Sequence, residues 1–134
     1  MRRLVLFFGA VLCLGITSVL SAQDAVKADP KHYSVMSEND QVRILKAHYG
    51  PHEKSVMHSH PAGVAVFNSD ATGKFTYPDG KSEDMTTKAG EARYTPAVTH
   101  LPENTGNTPL DVIIVELKGK SPAKPAAAAK AHKK

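Results

Sequence analysis

The sequence predicts an all-β domain, a sandwich or small barrel. Turn signals recur about every eight to twelve residues along the middle of the chain. Between them stand short runs rich in β-branched and aromatic residues. No window of the 134 residues carries a sustained helical period with a cap at each end.

The strands follow in order. "VRILKAHY" (Val42–Tyr49) is a β-branched and aromatic run that stops at Gly50-Pro51. "GVAVFN" (Gly63–Asn68) is a short apolar strand, expected to end in a turn over Ser69–Gly73. "KFTYPDGKSEDMT" reads as a hairpin: Phe75 and Tyr77 alternate, Pro78-Asp79-Gly80 turns, and a polar strand returns. Lys88-Ala89-Gly90 makes another turn before a strand that reaches Thr95. "LDVIIVEL" (Leu110–Leu117) is the most apolar run and the expected best-buried strand.

The two ends differ from this middle. Met1-Arg2-Arg3, the apolar stretch Leu4–Leu20 and the small residues Ser21-Ala22 have the three-part order of a secretory signal peptide, residues 1–22. The −3 residue for a cut after Ala22 is Leu20, a poor fit that allows the cut to shift by a residue or two. As an uncleaved anchor the stretch would sit at the short end for a bilayer core of about 30 Å, so cleavage is the reading taken. Residues 23–31 are polar and mixed and read as a flexible lead-in. The domain proper is expected over residues 32–117. Residues 118–134, "KGKSPAKPAAAAKAHKK", have almost nothing to bury and read as a disordered Lys/Ala/Pro-rich tail. Such a tail solubilises, or is weakly drawn to an anionic surface.

An exported chain of this kind belongs in a bacterial periplasm or outside the cell. The one cysteine, Cys13, lies within the signal segment, so a mature chain has no disulfide, thiolate ligand or cysteine nucleophile. The overall charge of +4 misleads. Two of the 17 basic residues lie in the first three positions and six in the tail, which leaves nine against all 13 acids. An acidic domain without a basic stripe excludes nucleic acid as a partner, and no membrane partner is expected after signal cleavage. No Gly-x-Ser-x-Gly elbow, phosphate loop or carboxylate pair suited to glycoside hydrolysis is present.

Chemistry concentrates at "MHSHPAGVAVF" (Met57–Phe67). On a strand, residues i and i+2 face one side, so His58 and His60 project together while Met57 and Ser59 face away. Two imidazoles can share a divalent cation with metal–nitrogen distances of about 2.0–2.1 Å. A third ligand must come from elsewhere. His132 lies in the tail, His32 near the start and His52 in the turn "GPHEK". His100 repeats the local order of the first site, a turn and strand followed by proline and histidine, one hairpin later. The plainer alternatives are two surface histidines at His58 and His60, and a His100 that bonds a loop carbonyl. Met57 is expected in the core rather than on copper, Tyr94 and Phe67 as barrel lining, and Glu103 as a solvated charge pointing away from His100.

On these residues the chain resembles the cupins. Their first motif, a glycine, His-x-His, a glutamate and a glycine, reads here Gly50, His58-Ser59-His60 and Gly73. Their second, a glycine, Pro-x-Gly, a histidine and an asparagine, reads Gly90, Pro96, His100 and Asn104. The resemblance covers about Gln41 to Lys118. The motif glutamate is missing, its place falling on Val64 or Ala65. Val98 replaces the second motif's inner glycine at a spacing to His100 one residue short, and the spacer before His58 is long.

The resemblance implies a small antiparallel jelly-roll β-barrel and the metal ligands His58, His60 and His100. His48 is a candidate fourth ligand if Ile44, Lys46 and His48 share the inner face of their strand. An all-histidine site suits Zn, Fe or Cu and leaves the ion's +2 charge uncompensated, which favours a small anionic guest. The expected function is an exported, metal-binding cupin-domain protein that takes a small-molecule ligand, with or without metal-assisted catalysis. A non-enzymatic binding module and a degenerate cupin without metal are the alternatives, and a homodimer is expected by analogy with the family.

Overall fold

The computed structural model describes residues 23–119. The expected signal peptide with Cys13, and residues 120–134 of the expected tail with His132, lie outside the described residues.

Among the described residues, one short helix precedes nine strands: α1 (Ala25–Ala28), β1 (Tyr33–Glu38), β2 (Val42–Tyr49), β3 (His58–His60), β4 (Gly63–Phe67), β5 (Ala71–Thr76), β6 (Ser82–Thr87), β7 (Ala92–Thr95), β8 (Val98–Asn104) and β9 (Leu110–Leu117). They form a five-stranded sheet, β1-β2-β9-β4-β7, and a four-stranded sheet, β3-β8-β5-β6. Every strand pair is antiparallel. The fold is all-β, as the sequence predicts.

Alternation decides which side chains meet between the sheets. In β2, Leu45, Ala47 and Tyr49 are buried while Lys46 and His48 are exposed. In β4, Gly63, Ala65 and Phe67 are buried. Leu45, Ala47, Tyr49, Ala65 and Phe67 join Ala25, Tyr33, Ala71, Met85, Leu110 and Val112 in the core. Leu45 is fully buried, which alone is worth about 1.5–3 kcal/mol. The most apolar strand, β9, takes the middle place of its sheet, paired with β2 and β4. Only its inward positions Leu110, Val112 and Glu116 are buried; the others are half-buried.

Three expectations need correction. Residues 23–31 are not a flexible lead-in: Asp24 caps α1, its Oδ1 accepting from Val26 N at 3.1 Å, and Ala25 is wholly buried. A four-residue helix with one buried side chain is too short to show a period. The turn after β4 is shorter than expected, because β5 already begins at Ala71. Gly73 lies inside β5, where a Cβ would come within 2.7 Å of Met85 Cε and 2.9 Å of Glu103 O. Tyr94 is 61% exposed on β7 and is not barrel lining; Phe67 is buried, as expected.

The hairpin turn after β5 and the turn at Lys88–Gly90 stand where the sequence places them. Gly80 and Gly90 take φ of +81° and +84°, the left-handed region that favours glycine.

Candidate metal centre

Register brings the histidines together. β3 pairs with β8 so that His58 stands opposite His100 and His60 opposite Val98. His58 and His60 share the inward face of β3, and both are buried. β8 buries His100, Pro102 and Asn104 on its inward face. The ring centroids lie 4.9 Å (His58–His60), 5.2 Å (His58–His100) and 5.5 Å (His60–His100) apart. One ring nitrogen from each falls within 4.8 Å of the others. Among the described residues no other group of His, Cys, Asp and Glu side chains meets that condition.

Hydrogen-bond partners fix how the first two rings face. His58 Nδ1 donates to the Val56 carbonyl at 2.8 Å. His60 Nδ1 donates to Glu116 Oε1 at 2.7 Å. A neutral imidazole carries one proton, so in a pair of neutral rings bonded this way both Nε2 atoms are bare lone pairs. They face each other at 3.1 Å. His100 Nε2 is buried and has no hydrogen-bond partner among the described residues. Two bare nitrogens in contact repel; a cation shared between them turns the contact into attraction. Nitrogens bound to one ion at about 2.1 Å stand roughly 3–3.4 Å apart, which the 3.1 Å separation matches. The residues therefore fit a divalent metal.

Burial favours the neutral, ligating form. It pushes His58 down to about 4, helped by the neighbouring His60. It pushes His100 down to about 3, with His60 and His58 adding to the effect.

Among the described residues no carboxylate joins the three histidines, but one that sequence reading passed over backs His60. Glu116, on β9, is 1% exposed. Its Oε1 accepts from His60 and its Oε2 from Arg43 Nε at 2.6 Å. Burial pushes the Glu116 carboxyl up, but the bonds from His60 and Arg43 outweigh it and hold the carboxyl below its ordinary range. Arg43 also pairs with Asp24. The available signal was an acid inside the most apolar strand, a place a carboxylate takes only when paired.

Other sequence candidates stand apart. His48 is exposed and donates to Asp111 at 2.8 Å on the outer face of β2, so it is not a fourth ligand. The register of β2 turns Leu45, Ala47 and Tyr49 inward instead. His32 is buried, but it donates to Asp29 at 2.6 Å and stacks on Tyr49 with centroids 4.3 Å apart. His52 is exposed and bonds Asn107 at 2.9 Å. Met57 is half-buried rather than in the core. Glu103 pairs with Lys54 at 3.4 Å, away from His100 as expected. Asn104 is fully buried and donates to Gly50 O at 2.9 Å and Thr108 O at 2.8 Å, which ties two loops together.

A cavity of about 220 Å³ opens beside the histidines. His60 and His100 line it with Phe67, Phe75, Val112 and Ile114. The Phe75 ring lies 4.7 Å from that of His100. Tyr33 and Tyr49 also line it. Tyr49 donates its hydroxyl proton to Tyr33 at 2.7 Å, and burial pushes the Tyr33 phenol up, so it stays neutral.

No protein-family profile and no curated protein matches the sequence. Solved structures do resemble it. A cupin domain from Bordetella pertussis Tohama I is 21% identical, with 65% of this chain and 92% of that one covered, at a TM-score of 0.61. A conserved protein with a double-stranded β-helix domain from Klebsiella pneumoniae subsp. pneumoniae MGH 78578 is 22% identical over 65% and 76%, at 0.53. An RmlC-like cupin family protein from Methanocaldococcus jannaschii, also a double-stranded β-helix, is 16% identical over 64% and 78%, at 0.51. With two antiparallel sheets closed over three inward histidines, this chain has the cupin fold.

Proposed function

We propose that this is an exported cupin-fold protein in which His58, His60 and His100 hold one divalent transition-metal ion, Zn, Fe or Cu. Beside the ion, the barrel cavity takes a small anionic molecule. The 3.1 Å contact between the Nε2 atoms of His58 and His60, with the orphaned His100 Nε2 beside it, carries the reading. A divalent ion there supplies Lewis-acid strength and open coordination positions.

The chain's own residues do the rest. Glu116 keeps the His60 proton on Nδ1, and Val56 O does the same for His58. Arg43 pairs with both Glu116 and Asp24, and neither carboxylate is in the three-histidine group, so a divalent ion there keeps positive charge for a guest. The apolar walls exclude water and admit a body of modest size. For scale, a dry apolar cavity of about 150 Å³ holds benzene. Tyr33 does not use its own proton in the bond from Tyr49 and can offer it to a guest.

A binding module without turnover is the second reading. It is favoured because, among the described residues, no aspartate or glutamate that could act as a general base lines the cavity. Export rests on the signal-peptide order of residues 1–22, and a homodimer on fold analogy.

Metal analysis after native purification tests the centre. About one ion per chain is expected, falling to a trace in His60→Ala and in His100→Ala. A folded wild-type protein that takes up no Zn, Fe or Cu overturns the reading in favour of a degenerate barrel. Oxygen uptake or product formation from a panel of small organic acids supports an enzyme; saturable binding without product supports the module.

A further inference from the structure

β3 is an edge strand, paired on one side only with β8. Its other side is not open. The segment leading into α1 lies along it: Asp24 forms a parallel bridge with Ser59, and Ser59 N donates to Gln23 O at 2.8 Å. Ala25 packs into the core cluster and is wholly buried.

Both residues that flank α1 are aspartates, and each leads to a different ligand. Asp24 Oδ1 caps the helix, while its Oδ2 accepts from Arg43 Nη2. Arg43 Nε donates to Glu116, and Glu116 accepts from His60 Nδ1. At the other end, Asp29 Oδ2 accepts from Ser55 Oγ and from His32 Nδ1. Ser55 has one proton and gives it to Asp29. A lone pair of its Oγ is therefore left toward His58 Nδ1, 3.4 Å away, beside the stronger bond to Val56 O. Asp29 O also accepts from Tyr33 N at 3.1 Å, and the Tyr33 ring packs against His58 and His60 with centroids at 4.8 and 5.4 Å.

We propose that residues 23–29 form a strap that sets the histidine pair, with Asp24 and Asp29 as positioning residues. Asp24 acts on His60 through Arg43 and Glu116; Asp29 acts on His58 through Ser55. Groups that orient metal-bound histidines commonly change metal affinity by about 10–100-fold. In this protein two of them come from a segment outside the barrel. The inference rests on the metal reading above and concerns only how the ligands are held.

The test uses the full chain and Co²⁺, with affinity measured by chelator competition and geometry by the visible d–d bands. Asp24→Asn keeps a side chain that caps a helix well but removes the charge that Arg43 meets. Asp29→Asn does the same toward Ser55 and His32, and Ser55→Ala cuts the second route while leaving α1 untouched. Each variant is expected to bind Co²⁺ about tenfold or more weakly, with shifted bands. In a Glu116→Gln background the Asp24→Asn effect should vanish while that of Asp29→Asn persists, because only the first runs through Glu116. A general loss of stability would not produce that split. If the wild type binds Co²⁺ and Asp24→Asn and Ser55→Ala match it within twofold with unchanged bands, the strap plays no such part. A folded wild type that binds no Co²⁺ overturns the metal centre itself, and this inference with it.

Discussion

Buried between the two sheets, His60 gives its Nδ1 proton to Glu116 across 2.7 Å, and neither side chain is more than 6% exposed. The carboxylate comes from β9 of one sheet and the imidazole from β3 of the other. The pair therefore links the two sheets at the candidate metal centre.

Replacing Glu116 by Gln should cost about 10–100-fold in metal affinity, since His60 loses its charged acceptor and the new amide NH2 must face either His60 or Arg43, both donors. Glu116→Ala should also destabilise the metal-free fold by about 3–5 kcal/mol, because it strips Arg43 of a buried partner. Chelator competition and urea unfolding measure the two effects separately. Equal metal affinity in Glu116→Gln and wild type would mean that the carboxylate is structural only.

Metal removal should lower the thermal midpoint. A ligand held at 100 times its dissociation constant stabilises the native state by about 2.7 kcal/mol. EDTA is therefore expected to shift the wild type downward by several degrees and to leave His60→Ala unmoved. The same shift in both proteins would place the chelator's action elsewhere.

The metal-free protein should lose stability on acidification. The folded values of His58 and His100 are about 4 and about 3, whereas an unfolded histidine titrates near 6.5. Between about pH 6.5 and those folded values the unfolded chain binds more protons, so stability falls as pH falls. Glu116 and Asp29, both held below the ordinary carboxylate range, push the same way at the acid end. Each pH unit that separates a folded value from its unfolded one is worth roughly 1.4 kcal/mol, so the total reaches several kcal/mol. Urea midpoints of the chelated protein at pH 7.5 and pH 5 give the slope, and His100→Gln should flatten it. A midpoint that does not move between the two pH values refutes the expectation.

Gly63→Ala tests the approach of β4 to β9. A Cβ at Gly63 would fall 2.3 Å from the Val115 carbonyl oxygen, a backbone atom that cannot step aside. Gly63 is also the register partner of Glu116. The substitution should destabilise the fold by about 1–3 kcal/mol and weaken metal binding by displacing Glu116. A variant as stable as wild type, with the same metal content, would count against this contact.

Much was legible in the chain because it is local. Alternation and turn residues mark β2, β4, β9 and the hairpin of β5 and β6, and the side-chain period of two places His58 and His60 on one face whatever the surroundings. His100 was found by its local sequence pattern and by resemblance to the cupins. What stands opposite what was decided by the tertiary structure. Register between distant strands sets His100 against His58, and stacking of the sheets brings Glu116 to His60 and turns His48 out to solvent. Sequence periodicity records which way a side chain points from its own strand. It does not record the partner across a sheet, because that is chosen by the packing and hydrogen bonding of the closed barrel as a whole.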